Sequence, residues 1–258
     1  HVDTGNYYAP AATTFGGLDA GSFAQDAAQQ VNVVGSTNGS TYVITDPSAN
    51  GFQITNTYGI RFSQLGIIGA SNGVSIVGSE YVAGEWLRIR NCYNGVSSGG
   101  ASSNLVLSHS AFVGNRQAGV SVAGSGSKQN WANIGSCLLW SNRYGLFLDG
   151  GYARISNSIV GMKSPNSFGL YALENAAYEL QSDYNNLYLG ETGAYAAGRQ
   201  TGAGAFAQTT TYASVSTWAT ASGQDVHSLP HDPLLVDVAG EDYHLKSVLL
   251  QHISSSSF

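Results

Sequence analysis

The sequence is poor in charged residues and has no long apolar run, and these two shortages argue against several classes of protein. Charged residues make up 10% of the 258 residues and no long amphipathic run is present, which disfavours a helical protein. The net charge is -6 and no stretch is basic, so a nucleic-acid partner is not expected. Because the sequence contains no apolar run of membrane-spanning length, membrane insertion is not expected either.

Glycine, in contrast, is abundant, and six glycines begin a pattern that recurs along the middle of the chain. Each is followed by alternating apolar positions, as in Gly51-Phe-Gln-Ile and Gly145-Leu-Phe-Leu. Successive members lie 22, 22, 24, 26 and 24 residues apart, and a period in this range indicates a repeat architecture. The six are Gly51, Gly73, Gly95, Gly119, Gly145 and Gly169.

A second segment between these glycines has the two-residue period of a β-strand. Two short strands in each repeat leave no room for a crossover helix, so each turn is predicted to lay its strands in parallel on the turn before. The sequence thus predicts a parallel β-solenoid of about six to eight turns. Its predicted apolar column is Ile89, Leu107, Ile134, Ile155 and Leu180.

The repeats resemble those of right-handed parallel β-helix proteins, the pectate-lyase-like superfamily. The end of the chain is similar to the closing segment of many exported bacterial β-helix repeat proteins, in Trp218 through Gly223-Gln-Asp-Val-His-Ser-Leu, Asp232-Pro-Leu-Leu-Val-Asp and Asp242-Tyr-His-Leu. The resemblance implies an all-β, right-handed parallel β-helix at an extracellular or cell-surface location. It implies no single activity, because this fold carries lyases, epimerases, hydrolases, adhesins and fibres.

One structural domain is predicted, in three segments. Residues 51–190 are predicted to be regular turns, and residues 1–50 an N-terminal cap or incomplete first turns, with about two helical turns at 23–31 and strands at 31–34 and 41–45. Residues 191–258 are predicted to hold a long loop or arm at 191–217 and then the closing segment. The first residues resemble a strand already in progress, so we expect a mature or excised piece of a longer polypeptide.

The register of the repeats predicts two further columns. One is expected to point inward as a hydrogen-bonded ladder, with a catalytic role for His109 as the alternative. The other contains Cys92 and Cys137 two turns apart, about 9.6 Å, which is too far for a disulfide. Neither cysteine has a CxxC partner, so free thiols and no metal site are predicted. The inward column is Asn91, His109, Ser136, Asn157 and Ser182.

The corners before the glycines carry candidate binding residues. Asn115 and Asn142 suit the left-handed backbone of tight turns, and Arg116 and Arg143 follow them at matching positions, with Tyr144 next along the chain. Two stacked arginines match a carboxylated sugar, because a guanidinium group pairs with a carboxylate through two hydrogen bonds. Solvated surface charge is the alternative.

A complete catalytic set is not visible. Elimination from a uronate needs a base and a positive group, and the best candidates are Lys163 with Arg143 or Arg154. The repeats lack clustered aspartates for a hydrolase, and calcium would be a cofactor without a supporting motif. The densest polar group is instead in the closing segment, where either a metal or acid–base site or, as we prefer, hydrogen bonds that hold the last loops are predicted. Its members are Asp225, His227, His231, Asp232, Asp237, Asp242 and His244, and Trp218 belongs to the same predicted closing motif.

Two classes of function follow. The first is a non-catalytic structural or adhesive module of a larger extracellular or cell-surface protein, with polysaccharide or copies of itself as partners. The alternative is a polysaccharide lyase or epimerase that acts on a uronate-containing polymer.

Overall fold

The computed structural model describes residues 5–9, 13–16, 31–36, 41–124, 131–202 and 207–246, with only the main chain at 5–9, 13–16 and 174–178. In this part of the chain, parallel strands form three faces around one elongated apolar core. Six successive turns run from Phe52 to Leu189, and each contributes a strand to every face. The prediction of a parallel β-solenoid is confirmed.

The strands are numbered along the chain. Face 1 contains β2 (Thr13–Gly16), β5 (Phe52–Thr55), β8 (Asn72–Val77), β11 (Asn94–Gly99), β14 (Ala118–Ala123), the first halves of β17 (Tyr144–Ser156) and β19 (Phe168–Asp183), and β21 (Tyr195–Thr201). Face 2 contains β3 (Val31–Val34), β6 (Tyr58–Ser63), β9 (Glu80–Glu85), β12 (Leu105–Ser108), β15 (Trp131–Gly135) and the second halves of β17 and β19. Faces 1 and 2 are one continuous sheet, because β17 and β19 run through both.

Face 3 is a separate sheet of short strands. It contains β1 (Gly5–Ala9), β4 (Thr41–Thr45), β7 (Gly66–Ile68), β10 (Arg88–Arg90), β13 (Ala111–Val113), β16 (Leu138–Trp140), β18 (Ile159–Met162) and β20 (Asn186–Leu189). The middle residue of most of these strands is fully buried in the core, as Ile67, Ile89 and Phe112 are. Within the repeats, face 3 was missed in the sequence because its strands there have only three or four residues, which is too few to show an alternation.

The predicted glycine period is the register of face 1. Phe52 pairs with Val74, Val74 with Val96, and Val96 with Val120, so each repeat is one turn. The predicted apolar column was wrong at both ends. Ile89 belongs to face 3, and Leu180 pairs with Ala153, whereas the three central members do form one column.

The predicted inward polar column was also wrong. His109, Ser136 and Asn157 lie at the corner between faces 2 and 3, where a left-handed backbone leaves their side chains exposed. Asn91 is exposed at the corner between faces 3 and 1, and only Ser182 is buried.

The ladder that does point inward is formed by the residues that follow these corner residues in the sequence. Leu87 N–H donates to Ser110 Oγ at 3.0 Å, Cys137 N–H to Ser158 Oγ at 3.1 Å, and Ser158 N–H to Asn185 Oδ1 at 3.1 Å. These side chains satisfy main-chain groups that the corner would otherwise leave unpaired in the core.

Both cysteines are free and buried, as predicted, but they do not share a column. Cys137 continues the serine ladder, whereas Cys92 N–H donates to Asn115 Oδ1 at 3.0 Å at the corner between faces 3 and 1. Asn115 N–H donates in turn to Asn142 Oδ1 at 2.8 Å. On the turns of Asn115 and Asn142 the left-handed residues at this corner are Gly114 and Ser141, so the expected left-handed role of the two asparagines was wrong.

The predicted strands at 31–34 and 41–45 are β3 and β4, and their parallel pairing continues the solenoid. The predicted helix at 23–31 lies outside the described residues, apart from Val31 in β3. The expected loop at 191–217 instead contains β21 and the antiparallel β22 (Gln208–Tyr212). Helix α1 (Val215–Ser222) follows and buries Val215 and Trp218 against the core. No described helix has the length and apolarity needed to span a bilayer.

Candidate functional site

A concave site of about 620 Å³ runs beside the corner between faces 2 and 3, and we call it the trench. One wall, the ridge, is a series of corner residues, one from each of five successive turns: Gln64, Trp86, His109, Ser136 and Asn157. The floor includes Arg88, Ala111, Leu138 and Ile159, which occupy equivalent positions on four strands of face 3. The opposite wall consists of Glu241, Tyr243 and His244.

The ridge owes its shape to the main chain. All five ridge residues have a φ between 48° and 57°, in the left-handed region that favours glycine and asparagine. A bulky aromatic residue is unusual there, yet Trp86 has a φ of 56° and is 55% exposed. Its indole ring stacks on His109, with the ring centroids 4.8 Å apart. The two rings form an exposed aromatic pair beside the trench.

Charged groups surround this aromatic pair. Glu85 forms an ion pair with Arg61, and its carboxylate lies 3.9 Å from His109 Nδ1. Among the residues that line the trench, Arg88 and Glu241 carry opposite charges. The charges of the one arginine and the one carboxylate in the lining therefore cancel.

The opposite wall is a hairpin of β23 (Leu235–Asp237) and β24 (Asp242–Leu245) that crosses the outer surface of face 3. Leu235 is buried in a cluster with Ala111, Leu138 and Trp140. Glu241 accepts a hydrogen bond from Tyr42 and forms an ion pair with Arg90, whose Nη2 lies 2.5 Å from Glu241 Oε1. These contacts hold the hairpin over strands from early turns.

Tyr243 brings a hydroxyl group to this wall. Burial, followed by the negative charge of Glu241, raises the pKa of Tyr243 to about 12. The hydroxyl is therefore protonated at neutral pH and can donate or accept a hydrogen bond.

The predicted binding residues lie elsewhere, at the corner between faces 3 and 1. Arg116 and Arg143 are exposed on successive turns, and the Arg143 guanidinium carbon lies 5.3 Å from the Tyr144 ring centroid. Tyr144 belongs to an aromatic cluster on the outside of face 1, in which its ring contacts Phe147 at 5.1 Å and Tyr171 at 4.7 Å. This aromatic surface forms a second, separate candidate.

The predicted catalytic residues are dispersed. Arg143 and Lys163 follow face 3 strands on adjacent turns, and Lys163 Nζ lies 5.6 Å from the Tyr188 ring centroid. Arg154 is exposed in the middle of face 2, between Asn133 and Gln181 on the neighbouring strands. The structure therefore does not unite the three cationic residues in one site.

Asp225 is the centre of the closing segment. It is 1% exposed and accepts hydrogen bonds from Trp218 Nε1 at 3.0 Å, Asn185 Nδ2 at 3.2 Å and Ser228 Oγ at 2.6 Å. Its own N–H donates to Ser182 O at 2.7 Å. These bonds attach the end of α1 to the last turn of the solenoid.

The other closing residues make separate local contacts. His227 Nδ1 lies 2.8 Å from Asp183 Oδ2, and Asp232 accepts from Leu234 N–H at 2.8 Å. Asp237 accepts from Gly240 N–H at 3.0 Å, and His244 Nδ1 lies 2.6 Å from Asp242 Oδ1. Within the described ranges, no group of three or more His, Cys, Asp or Glu residues is placed to hold a metal ion.

Sequence reasoning missed the trench and singled out only His109 among the members of the aromatic pair. Trp86 could have been recognised from the sequence as unusual, because serine and asparagine occupy the same corner position in later turns. That signal requires the correct register of the corners, and the missing face 3 concealed it. The contribution of Tyr243 and Glu241 depends on a long-range contact that no local pattern indicates.

Comparison with known proteins supplies no family for this chain. It matches no family model, no curated protein and no solved structure. Its function is therefore argued from the fold and the geometry of its surfaces.

Proposed function

We propose that the chain is a non-catalytic structural or adhesive module of a larger extracellular or cell-surface protein, and that it contacts carbohydrate through the trench. The observation that supports this most is Trp86, an exposed tryptophan in a left-handed corner beside a concave site. A tryptophan there contributes little to the core, whereas an exposed aromatic ring offers an apolar surface to a sugar.

The sequence repeats support a finer assignment, which is also part of the proposal. We assign the chain to the right-handed β-helices of the pectate-lyase-like type, and its closing segment to exported bacterial proteins. In that setting the solenoid acts as a rigid rod that presents the trench along its side.

The lyase or epimerase alternative has weaker support. Elimination from a uronate requires a base and a positive group around one sugar. Arg154 lies on a different face from Lys163, which leaves Lys163 with Arg143, on adjacent turns, as the candidate pair.

The test is incubation of the purified chain with neutral and uronate-containing polysaccharides, with and without calcium. Affinity electrophoresis detects binding, while ultraviolet absorbance and reducing-end assays detect products. We expect retardation of the protein by at least one polysaccharide, and no product. New absorbance that disappears in Lys163→Met or Arg143→Ala would replace the adhesive function with a lyase. An absence of binding to every polysaccharide would overturn the carbohydrate contact.

A further inference from the structure

We propose that the trench binds a single chain of a neutral, linear oligosaccharide, which lies parallel to the solenoid axis. The inference rests on the proposed function and specifies its ligand. Its basis is the repetition, charge and hydrogen-bonding capacity of the residues that line the trench.

The direction of the ligand follows from the repetition. The ridge contributes one residue from each of five successive turns, and strands stacked in a sheet are about 4.8 Å apart, so the ridge is about 19 Å long. The floor repeats in the same way across four turns. A site of about 620 Å³ that is extended in this way accommodates a chain rather than a compact group.

The chemistry of the lining is amphipathic, as a sugar is. The floor is apolar at Ala111, Leu138 and Ile159. The first two are largely buried beside Leu235, so the partly exposed Ile159 offers most of this surface to the C–H face of a sugar ring. Gln64, Ser136 and Asn157 stand along the ridge. Amide and hydroxyl side chains both donate and accept hydrogen bonds, as sugar hydroxyl groups do.

The charges favour a neutral sugar. The arginine and the glutamate in the lining, Arg88 and Glu241, are of opposite sign, and Glu241 already accepts a hydrogen bond from Tyr42 and forms an ion pair with Arg90. The whole chain carries a net charge of -6, which repels a polyanion. A polymer with a carboxylate on each sugar would find no matching series of cations along the ridge.

An extended peptide is less suitable, because neither the ridge nor the floor of the trench offers a free strand edge. The N–H groups of Trp86, His109 and Ser136 donate to the next turn, each at 3.3 Å. The strands β10, β13 and β16 below are paired on both sides. Along these two surfaces a peptide would therefore gain no main-chain hydrogen bonds of the kind that usually supply affinity for an added strand, and the four-residue β24 is too short to pair with a chain that spans the trench.

The test is calorimetric titration of the purified chain with oligosaccharides derived from cellulose and mannan, and with oligogalacturonides of matched lengths. For one neutral series, we expect affinity to rise with chain length until the trench is spanned, and then to remain constant. Trp86→Asn and Ser136→Trp are expected to weaken binding at least about tenfold, the first by removing the aromatic ring and the second by obstructing the middle of the trench.

The controls separate binding from folding. Ser136 has a φ of 53°, close to the 56° of Trp86, so this corner accepts a tryptophan. Tyr81→Asn is the matched control, because Tyr81 also has a φ of 56°, is 45% exposed and contacts another ring, that of Tyr58, yet does not line the trench. Its binding is expected to equal that of the unchanged protein.

The outcomes distinguish this inference from the proposed function. Preference for oligogalacturonides, affinity independent of length, or full binding by both trench variants would overturn the inference and leave a carbohydrate-binding module. If binding were instead lost in Arg143→Ala, the contact would move to the surface around Tyr144. An absence of binding to every oligosaccharide and polysaccharide would overturn both.

Discussion

The six repeated glycines lie where successive turns approach too closely for any side chain. A Cβ atom on Gly95 would lie 2.4 Å from Gly119 O, and one on Gly145 would lie 2.5 Å from Gly169 O. Because the obstructing atom belongs to the main chain of the next turn, the strands themselves must move. We expect Gly95→Ala to lower the free energy of unfolding by about 2–3 kcal/mol, measured by urea denaturation.

Gly135 provides the matched control. A Cβ atom there would meet no atom within 4 Å, and its φ is not positive. Gly135→Ala should therefore raise the free energy of unfolding by about 0.4–1 kcal/mol, because alanine restricts the unfolded chain. Equal effects of the two substitutions would argue against close stacking of the glycine column.

Trp86 makes a different prediction at the residue scale. Its left-handed backbone costs about 1–2 kcal/mol for a residue other than glycine. Its stacking on His109 returns about 0.5–1.5 kcal/mol. We expect Trp86→Asn to leave the free energy of unfolding unchanged or up to about 1 kcal/mol higher. A free energy of unfolding that fell by more than about 1 kcal/mol would instead assign Trp86 a structural role. It would also remove the main support for the trench as a binding site.

At the scale of elements, Asp225 attaches α1 to the last turn of the solenoid. Replacing it with alanine would leave the buried polar groups of Trp218, Asn185 and Ser228 without this acceptor. We expect Asp225→Ala to destabilise the protein by about 3–5 kcal/mol. Thermal melting monitored by tryptophan fluorescence would measure this loss. Asp242→Ala, on an exposed carboxylate, should leave the melting temperature unchanged. A stable Asp225→Ala protein would show that α1 contributes little to closing the core.

The β23–β24 hairpin is a second element with its own stability. Glu241→Gln keeps the shape of the side chain but removes the charge that pairs with Arg90. We expect faster hydrogen exchange at β24 amides and unchanged exchange in face 1, because loss of this contact opens the hairpin without unfolding the core. Exchange that accelerated equally in both would indicate that the hairpin and the solenoid unfold as one unit.

For the whole molecule, burial sets the response to alkaline pH. It raises the pKa of Cys92 to about 11 and those of Cys137 and Tyr243 to about 12. In the unfolded chain, cysteine and tyrosine ionise near pH 8.5 and 10. The folded protein therefore retains protons that the unfolded chain releases, and its stability should fall as pH rises from about 9 to 12.

Cys137→Ser tests this relation. Ser110 and Ser158 occupy equivalent positions on adjacent turns, so a serine continues the ladder and the variant should fold. Its free energy of unfolding, measured by urea denaturation across the alkaline range, should decline less steeply with pH than that of the unchanged protein. Identical slopes would exclude Cys137 as a source of the alkaline instability.

The solenoid and its period could be predicted from the sequence, because both depend on contacts between equivalent residues of adjacent turns. The glycines repeat since the same close approach recurs in every turn, and the apolar alternation of faces 1 and 2 repeats for the same reason. The free state of Cys92 and Cys137 was also predictable, although the column proposed for them was wrong.

The corners and the trench were decided only by the tertiary structure. The strands of face 3 within the repeats are too short to show a periodicity in the sequence. At each left-handed corner one side chain points outward and the next points inward, so His109 is exposed and not inward as predicted. One wall of the trench exists because Glu241 contacts Tyr42, 199 residues earlier in the chain. A local pattern determines which residues repeat, whereas only the packing of distant segments determines which of them enclose a site.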